Sequence, residues 1–593
     1  MNPSPSQTIR ARIIRAVVPT AFLALVFAAP RARAQAPIEP AQLPARTTFY
    51  IAWRGEPQGD IRHANNLFAL WDDPDFAPSR AAMFENLAAP SGDAKSDTKP
   101  GLTPAEAQEY SALLENGFVI GYITKPESKT TADAIPSDPA AAAGAPIDKW
   151  NGFFFVYNRT RKEALLSKAV LRMRNQEKDL PQLSQITIAG IPALKVQRKT
   201  GATYWIEHGK YAASANDPAV LEQILPRLEG ASPSDSLAQS ATFQEAQSHL
   251  GGVLELYGAV PALKTLAQNT ANGFNLAGVL TAIKLDAVHS ICGRVVLDGA
   301  KTRFQGTILG DTAPGSVLDL WPVGVDSPAS LAIKPPNAIS YSESQFDLPA
   351  FYQVLKRGLA AMSPGGQNPS MMVEMMAQAK LGMPLADALA LPTGEFTSMQ
   401  LSPALDPDKS IYVFGIHKKD ETLKLMRTLL GEQITSERAE GDTTFLKVSL
   451  HGKQGTKGVA QWDFYHVAVT PNFIYGAPKY DSLKEALAGR DTMSAAVLTP
   501  LQAARADYPA KINGLYFFDF QKVDWAAAKV HWIEEAKKAA AKPNATDAQK
   551  AAAKKLPNML TNANPQVFSR HLHQMAGASW KDEKGIHFDQ WLQ

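Results

Sequence analysis

The stretch HSICGRVVLDGAKTRFQGTI, residues 289–308, aligns without a gap on HQMAGASWKDEKGIHFDQWL, residues 573–592. Four matching positions carry the same residue in both stretches: His289 with His573, Gly293 with Gly577, Asp298 with Asp582, and Phe304 with Phe588. Apolar and polar residues alternate on both sides of a turn segment, which predicts a β-hairpin in each stretch. The turns carry Asp298-Gly299 in the first and Glu583-Lys584-Gly585 in the second. Such alternation predicts one face on a core and one in water.

Working outward from these hairpins, three more pairs of segments repeat in the same order along the chain. They are residues 155–166 and 413–424, residues 210–225 and 472–487, and the openings from Pro44 and Pro336. Self-similarity in a fixed order is typical of a repeated structural unit. The sequence therefore predicts a tandem duplication of one module, with residues 35–325 as the first copy and 326–593 as the second.

Each module is predicted to be α+β, with a mainly antiparallel β-sheet backed by helices. We expect about eight strands and three to five helices in each copy. The firmest predicted strands of the first module are 153–157, 185–189, 194–198, 203–207, 211–214 and 253–257. The second module carries a helical insert at about 526–560, rich in alanine and lysine.

The N-terminus has the pattern of a secretory signal peptide in residues 1–34. Three arginines, Arg10, Arg12 and Arg15, precede an apolar run over 16–29, and Ala32-Arg33-Ala34 forms a small-x-small cleavage site. The apolar run is too short for a bilayer span, which needs about 20 residues. We therefore expect a periplasmic or secreted protein without a transmembrane helix once the signal is removed; an uncleaved anchor is the alternative.

Charge and cysteine content exclude several classes of protein. Removal of residues 1–34, with five arginines and no acid, changes the net charge from +3 to −2. A near-neutral chain lacks the basic surface that nucleic-acid binding requires. The single cysteine, Cys292, rules out an intramolecular disulfide. It lies in an alternating stretch, which predicts a buried apolar role rather than a nucleophile.

Two segments resemble a known family. Residues 209–228 form a small-residue strand leading into a helix, and SLAQSATF, residues 236–243, follows them. In the second module LGMPLADALALPTGEF, residues 381–396, echoes this pattern. The combination resembles the bacterial domain-of-unknown-function family 3352 of exported proteins. The resemblance implies an extracytoplasmic location and carries no established activity and no functional residues; the long inserts and the methionine-rich helix depart from it.

The sequence contains no recognisable catalytic or cofactor motif, and we predict no cofactor, metal or catalytic residue. A Ser-x-x-Lys pair, Ser96 and Lys99, lies in a segment too rich in breakers to hold a site. The acidic run 72–75 is interpreted as a helix cap rather than a metal or acid–base site. His571 and His573 lie two apart on a predicted strand, as a metal pair would, but without an evident third ligand.

Five methionines form the one candidate site that we single out: Met371, Met372, Met375, Met376 and Met383. Core packing is the interpretation that the sequence favours, with contact to an apolar ligand or a partner as the functional alternative. Copper binding is a third interpretation, because thioether sulfur is a soft ligand.

We predict an exported, non-enzymatic envelope protein that binds an apolar ligand, a lipid, a polymer or a protein partner between or along its modules. An enzyme with an unrecognised site and a purely structural protein remain the alternatives. Convergent ionisable groups in a cleft would favour the enzyme, a long apolar groove the ligand binder, and a large exposed apolar patch the structural partner.

Overall fold

The structure is a computed structural model, and it describes most of the chain. The described residues are 38–57, 59–80, 112, 114–124, 152–160, 163–164, 167–168, 182–198, 201–230, 234–261, 276–312, 314–324, 338–362, 369–449, 464–488, 505–541 and 564–593. Within these ranges twenty strands join one antiparallel sheet, with helices packed on it. The predicted α+β class is confirmed.

The first half of the chain contributes ten of these strands. They are β1 Thr47–Trp53, β2 Phe118–Ile123, β3 Phe153–Asn158, β4 Gln182–Ile188, β5 Ile191–Arg198, β6 Gly201–His208, β7 Tyr211–Ala215, β8 Leu254–Ala259, β9 Val288–Asp298 and β10 Lys301–Gly310. The second half contributes the other ten. They are β11 Ser340–Gln345, β12 Pro392–Gln400, β13 Ser410–Ile416, β14 Ile434–Glu440, β15 Thr443–Ser449, β16 Phe464–Val469, β17 Phe473–Ala477, β18 Gly514–Asp519, β19 Gln574–Asp582 and β20 Gly585–Leu592.

Twelve helices of the described residues complete the fold. They are α1 Asp60–Ala64, α2 Asn66–Asp72, α3 Pro218–Leu228, α4 Ala241–Ala246, α5 Leu276–Ala282, α6 Leu348–Met362, α7 Pro369–Leu381, α8 Leu385–Leu389, α9 Lys419–Leu430, α10 Tyr480–Ala488, α11 Trp525–Ala541 and α12 Gln566–His571. None of them is both long and apolar enough to cross a bilayer.

Strand order is the same in the two halves. From one edge of the sheet the order is β4-β5-β6-β7-β3-β2-β1-β8-β9-β10, and from the other it is β14-β15-β16-β17-β13-β12-β11-β18-β19-β20. The estimate of about eight strands per half is too low for the described residues. The six firmest predicted strands and the hairpin of the first module do not include β1 and β2. Both faces of these two strands are covered, so their sequences are continuous apolar runs without the alternation that indicates a strand.

Both predicted hairpins are present. Asp298 pairs with Lys301 at the tip of β9–β10, and Asp582 pairs with Gly585 at the tip of β19–β20. Gly299 holds φ +54° in the first turn, a conformation that glycine adopts without strain.

The two halves meet where β10 pairs antiparallel with β20, from Thr302 opposite Leu592 to Leu309 opposite Gly585. Gln305 lies opposite Asp589 near the middle of this ladder. The alignment of the two hairpin sequences also places Gln305 on Asp589, so the register at the junction is symmetric about this one pair.

The expectation that one hairpin face lies in water holds only at some positions: Ile291 and Phe588 are exposed, but packed side chains cover much of both faces. Cys292 belongs to a core with helix α3 on one face, and Val295 belongs to a second core on the other face. In the second half, Trp591 and Ile586 likewise belong to different cores. The sheet is therefore the middle layer of three, which a sequence pattern from one pair of strands does not reveal.

Helices near the junction pack across it on the opposite half. Leu70 and Trp71 of α2 share a buried cluster with Val567 of α12. On the second side, Arg357 of α6 donates hydrogen bonds to the carbonyl oxygens of Ala282, at 3.1 Å, and Gly315. The cores at the junction are therefore built by both halves together.

Candidate functional site

Helix α7 lies on the protein surface, where it packs beside α6, α8 and α9. Ser370 is the one buried residue of this helix. On the side facing α6, the carboxylate of Glu374 accepts a hydrogen bond from Tyr352 and forms a 2.8 Å ion pair with Lys356. These contacts fix which side of α7 faces the protein and which side faces solvent.

The solvent side of α7 is made of methionine. The exposed fractions are 60% for Met371, 55% for Met372, 64% for Met375 and 55% for Met376. We name these four residues the methionine face. Successive turns of a helix bring residues four apart into line, so two such pairs form one continuous strip. The expectation that these methionines pack in a core is wrong; Met383, in the turn after the helix, is half-buried.

Helix α7 turns one charged residue away from this strip and places the other, exposed Lys380, one turn beyond Met376 at its end. Glu374 and Lys380 are its only charged residues, and Glu374 turns toward α6. Helix α6 adds three more exposed apolar side chains, Phe351, Leu355 and Met362. Exposed apolar patches on a soluble protein are typical of surfaces that another molecule covers.

A second apolar feature is a small recess between α2 and the sheet. It is lined by Trp53, Leu67, Phe68, Val253, Leu254, Val295, Leu297 and Thr302. Its cavity volume is ≈ 20 Å³, which is room for about one water molecule. Ligand pockets measure several hundred Å³, so this recess has no space for a lipid chain.

Polar side chains follow the junction between the halves. Arg294 donates to Gln305 Oε1 at 2.7 Å, and Gln305 Nε2 donates to Asp589 Oδ2 at 2.9 Å. Arg303 Nη2 lies 2.8 Å from the same carboxylate. Asp589 is buried, and the Arg303 guanidinium balances its negative charge. The hydrogen bond from Arg303 to Asp589 raises the pKa of Arg303. This row is a closed network that joins the halves rather than a site awaiting a ligand.

Two histidines meet next to this network, one from each half. His249 and His587 have ring centroids 5.6 Å apart, and Thr307 Oγ1 lies 3.2 Å from Nδ1 of His249 and 3.4 Å from Nδ1 of His587. His587 Nε2 lies 3.0 Å from Asp582 Oδ1. Burial, followed by the charges of His587 and Arg294, lowers the pKa of His249.

Thr307, His587 and Asp582 stand in the order of a nucleophile, a base and an orienting carboxylate. Thr307 and His587 are both buried, so a substrate does not reach the hydroxyl in this conformation. Sequence reasoning missed the group because its members come from different halves and meet only through the β10–β20 pairing.

The acidic run 72–75 is used within the fold. Asp73 accepts from the Asp75 amide at 2.8 Å and so caps a short 3-10 helix, Pro74–Phe76. The helix that the run was predicted to cap, residues 81–87, lies outside the described residues. Asp73 also binds Arg570 at 2.6 Å and His571 at 2.7 Å, both from the second half. Burial raises the pKa of Asp73, but these hydrogen bonds outweigh it and hold the pKa below its ordinary value.

The predicted placement of His571 and His573 on one strand is wrong. His571 is the last residue of α12, and β19 begins at Gln574, after His573. His571 is instead the partner of Asp73. Among the described residues, no group of three or more histidine, cysteine or acidic side chains is arranged to hold a metal ion.

Cys292 is buried, as its alternating sequence predicts. Burial raises the pKa of its thiol to about 12. A thiol that is protonated at neutral pH is a poor nucleophile. Ser96, Lys99 and the signal segment 1–34 lie outside the described residues.

Comparison with known proteins gives no match, so the evidence for function is the geometry of the sites described above. No protein-family model matches the chain, and neither a curated protein nor a solved structure matches it.

Proposed function

We propose that this chain is an exported, non-enzymatic protein of the bacterial envelope that binds a protein partner through the methionine face. The exposure of four adjacent methionines on α7 carries this proposal. Methionine side chains are flexible and polarizable, and they recur on surfaces that adapt to apolar protein segments.

A protein partner fits this surface better than a small ligand or a bilayer. A small apolar ligand needs a concave pocket that buries most of its surface, whereas one side of an exposed helix is convex. Helices that lie on membranes carry several lysines or arginines beside aromatic anchors. Helix α7 has Lys380 as its one basic residue and contains no aromatic residue.

An enzyme remains the alternative, and Thr307, His587 and Asp582 are the group on which it would depend. The burial of Thr307 and His587 favours binding over catalysis. The tandem duplication, supported by the matching strand order and hairpin registers, is part of the same proposal. So are the signal peptide and the likeness to family 3352, which rest on sequence alone.

Methionine oxidation tests whether the face is covered in the envelope. Exposed thioethers react with peroxide, and covered ones react slowly. We expect Met371, Met372, Met375 and Met376 to be oxidised about tenfold more slowly in a gently prepared envelope extract than in the dilute purified chain. Buried Met399 is the internal control, since it is protected in both samples while the chain is folded. Equal rates at the methionine face in the two samples would refute the proposal.

A further inference from the structure

We propose that the outer edge of β4 pairs with β4 of a second copy of this chain, so that two sheets join antiparallel across a two-fold axis at Gln185. This inference goes beyond the proposed function and does not rest on it, because β4 belongs to the first half of the chain and α7 to the second. A contrast between the two end strands of the sheet, β4 and β14, carries it.

The two end strands hold equivalent places in the halves but differ in charge. Within the described residues, β4 pairs with β5 alone and β14 with β15 alone, so each leaves one edge open. Strand β4 contains no charged residue, whereas β14 carries Glu437, Arg438 and Glu440. Charged side chains on an edge strand disfavour the addition of another strand. The edge of the second half is therefore protected, and the edge of the first half is not.

The β4–β5 hairpin determines which backbone groups of β4 face outward. Its turn has two residues, Ala189 and Gly190, with φ +48° and +78°, as a type I′ turn requires. Such a turn closes on a hydrogen-bonded pair, and bonded and non-bonded pairs alternate from there. The residues in the non-bonded pairs are Leu183, Gln185 and Thr187. Their N–H and C=O groups point away from β5, in a spacing that an extended polypeptide strand matches.

The outward side of β4 is also accessible. The strand is exposed from Gln182 to Gln185 and again at Thr187, and Leu183 is exposed by 49%. An exposed edge strand without charges is the kind of strand to which another chain adds. A strand that adds here covers an apolar side chain as well as backbone groups.

Strand β4 is complementary to itself about Gln185. A two-fold axis there places Gln185 opposite Gln185 of the second copy, and Leu183 opposite Thr187. A glutamine amide carries both donors and an acceptor, so the two glutamines can hydrogen-bond to each other across the axis. Leu183 gains a β-branched neighbour in Thr187, a favourable cross-strand pair. Like charges do not meet, because β4 has none.

One unprotected edge per chain limits the assembly to two copies. Pairing β4 with β4 uses the same surface on both chains and closes, whereas pairing β4 with β14 would continue into a filament. The charges on β14 oppose the filament. The same kind of union already exists within the chain, where β10 pairs antiparallel with β20 in a register symmetric about Gln305 and Asp589. The second copy repeats this union at the outer edge.

The length of the edge sets the expected affinity. The outward groups allow about six backbone hydrogen bonds between the copies, each worth about 1 kcal/mol net. Association itself costs several kcal/mol, and an edge contact of this length covers less than the ~800 Å² per partner of a stable interface. We therefore expect a reversible dimer with a dissociation constant of about 10–100 µM.

Sedimentation equilibrium of the purified chain without residues 1–34, at concentrations up to about 200 µM, tests this inference. Gln185→Pro removes an outward N–H that the β4–β5 ladder does not use, and it is expected to raise the dissociation constant at least about 30-fold. Ala439→Pro, at an outward position on β14, is the matched control and is expected to leave association unchanged. A wild-type chain that is monomeric at this concentration overturns the inference, as does a Gln185→Pro variant that dimerises like the wild type.

A cross-linking experiment locates the contact without the use of proline. The native Cys292 is buried, so it does not compete with an introduced surface thiol. Gln185→Cys places two thiols side by side at the two-fold axis, and a short bis-maleimide is expected to link most of the chain into covalent dimers. Ala439→Cys on β14 is the control, with about tenfold less cross-linking expected. Equal cross-linking of the two variants would refute pairing through β4.

Discussion

Gln305 Nε2 donates a hydrogen bond to Asp589 Oδ2 at 2.9 Å, and this contact lies on the line that divides the two halves of the sheet. Arg303, two residues before Gln305 on β10, forms an ion pair with the same carboxylate at 2.8 Å. Because Asp589 is buried and accepts from two side chains of the other half, it ties the halves together beyond the backbone ladder.

Replacing Asp589 with alanine is expected to lower the free energy of unfolding by about 3 kcal/mol, because it leaves Gln305 and the Arg303 guanidinium without their acceptor. Urea denaturation of the full chain measures the change. Asp507→Ala is the control: Asp507 forms an exposed 3.8 Å pair with Lys301 at the same junction, and its loss is expected to cost under about 1 kcal/mol. Equal losses for both variants would contradict a special role for Asp589.

Serine substitutions on the methionine face are expected to leave stability nearly unchanged. Met371 and Met375 are exposed, and surface changes of this kind shift the free energy of unfolding by about 0.5 kcal/mol or less each. Met399→Ala in the core of the second half is expected to cost about 2–5 kcal/mol. Thermal unfolding of the variants compares them, and a large loss for Met375→Ser would show that the face is structural.

Acid is expected to destabilise the protein through two histidines. Burial, with nearby positive groups, lowers the pKa of His249 and of His466 below the ordinary value of 6.5. Near and below pH 6.5 the unfolded chain therefore binds more protons than the folded one. The free energy of unfolding falls as the pH falls from there through the lowered pKa values that the two histidines have in the folded state.

Urea denaturation between about pH 4.5 and 8 measures this effect, because carboxylates such as Asp73 titrate mainly at lower pH. His249→Asn combined with His466→Asn is expected to flatten the pH dependence in this window. An unchanged slope in the double variant would assign the acid sensitivity to other groups.

Cys292 is expected to resist thiol reagents in the folded chain. Its sulfur is buried and its pKa is raised to about 12, so the reactive thiolate is scarce at neutral pH. Labelling with a chromogenic disulfide is expected to follow global unfolding in urea. Rapid labelling of the native chain would contradict this burial.

Fragments cut at the predicted module boundary are expected to depend on each other. Residues 35–325 alone leave the β10 edge unpaired and remove Val567 and Arg570 from their partners on α2 and Asp73. Co-expression with residues 326–593 is expected to give a soluble complex, whereas each fragment alone aggregates or unfolds cooperatively at lower urea. Fully native stability of the separate fragments would mean that the junction contributes little.

Several features of the fold could be predicted from the sequence because they depend on local patterns. Alternation around Asp298-Gly299 located one hairpin, since a two-residue turn and a period of two are properties of neighbouring residues. The burial of Cys292 followed from the same pattern. The missed strands β1 and β2 lack alternation because neighbours on both faces cover them.

The candidate site was only half predictable. The sequence by itself located the methionine cluster at 371–383, because composition is local, and it fixed the α+β class through the periodicity of its segments. Only the tertiary structure decided that Met375 faces solvent, because the exposure of a helix side depends on which neighbours pack against it. It likewise decided that Gln305 meets Asp589, since contacts between distant segments arise from sheet pairing and not from any pattern within either segment.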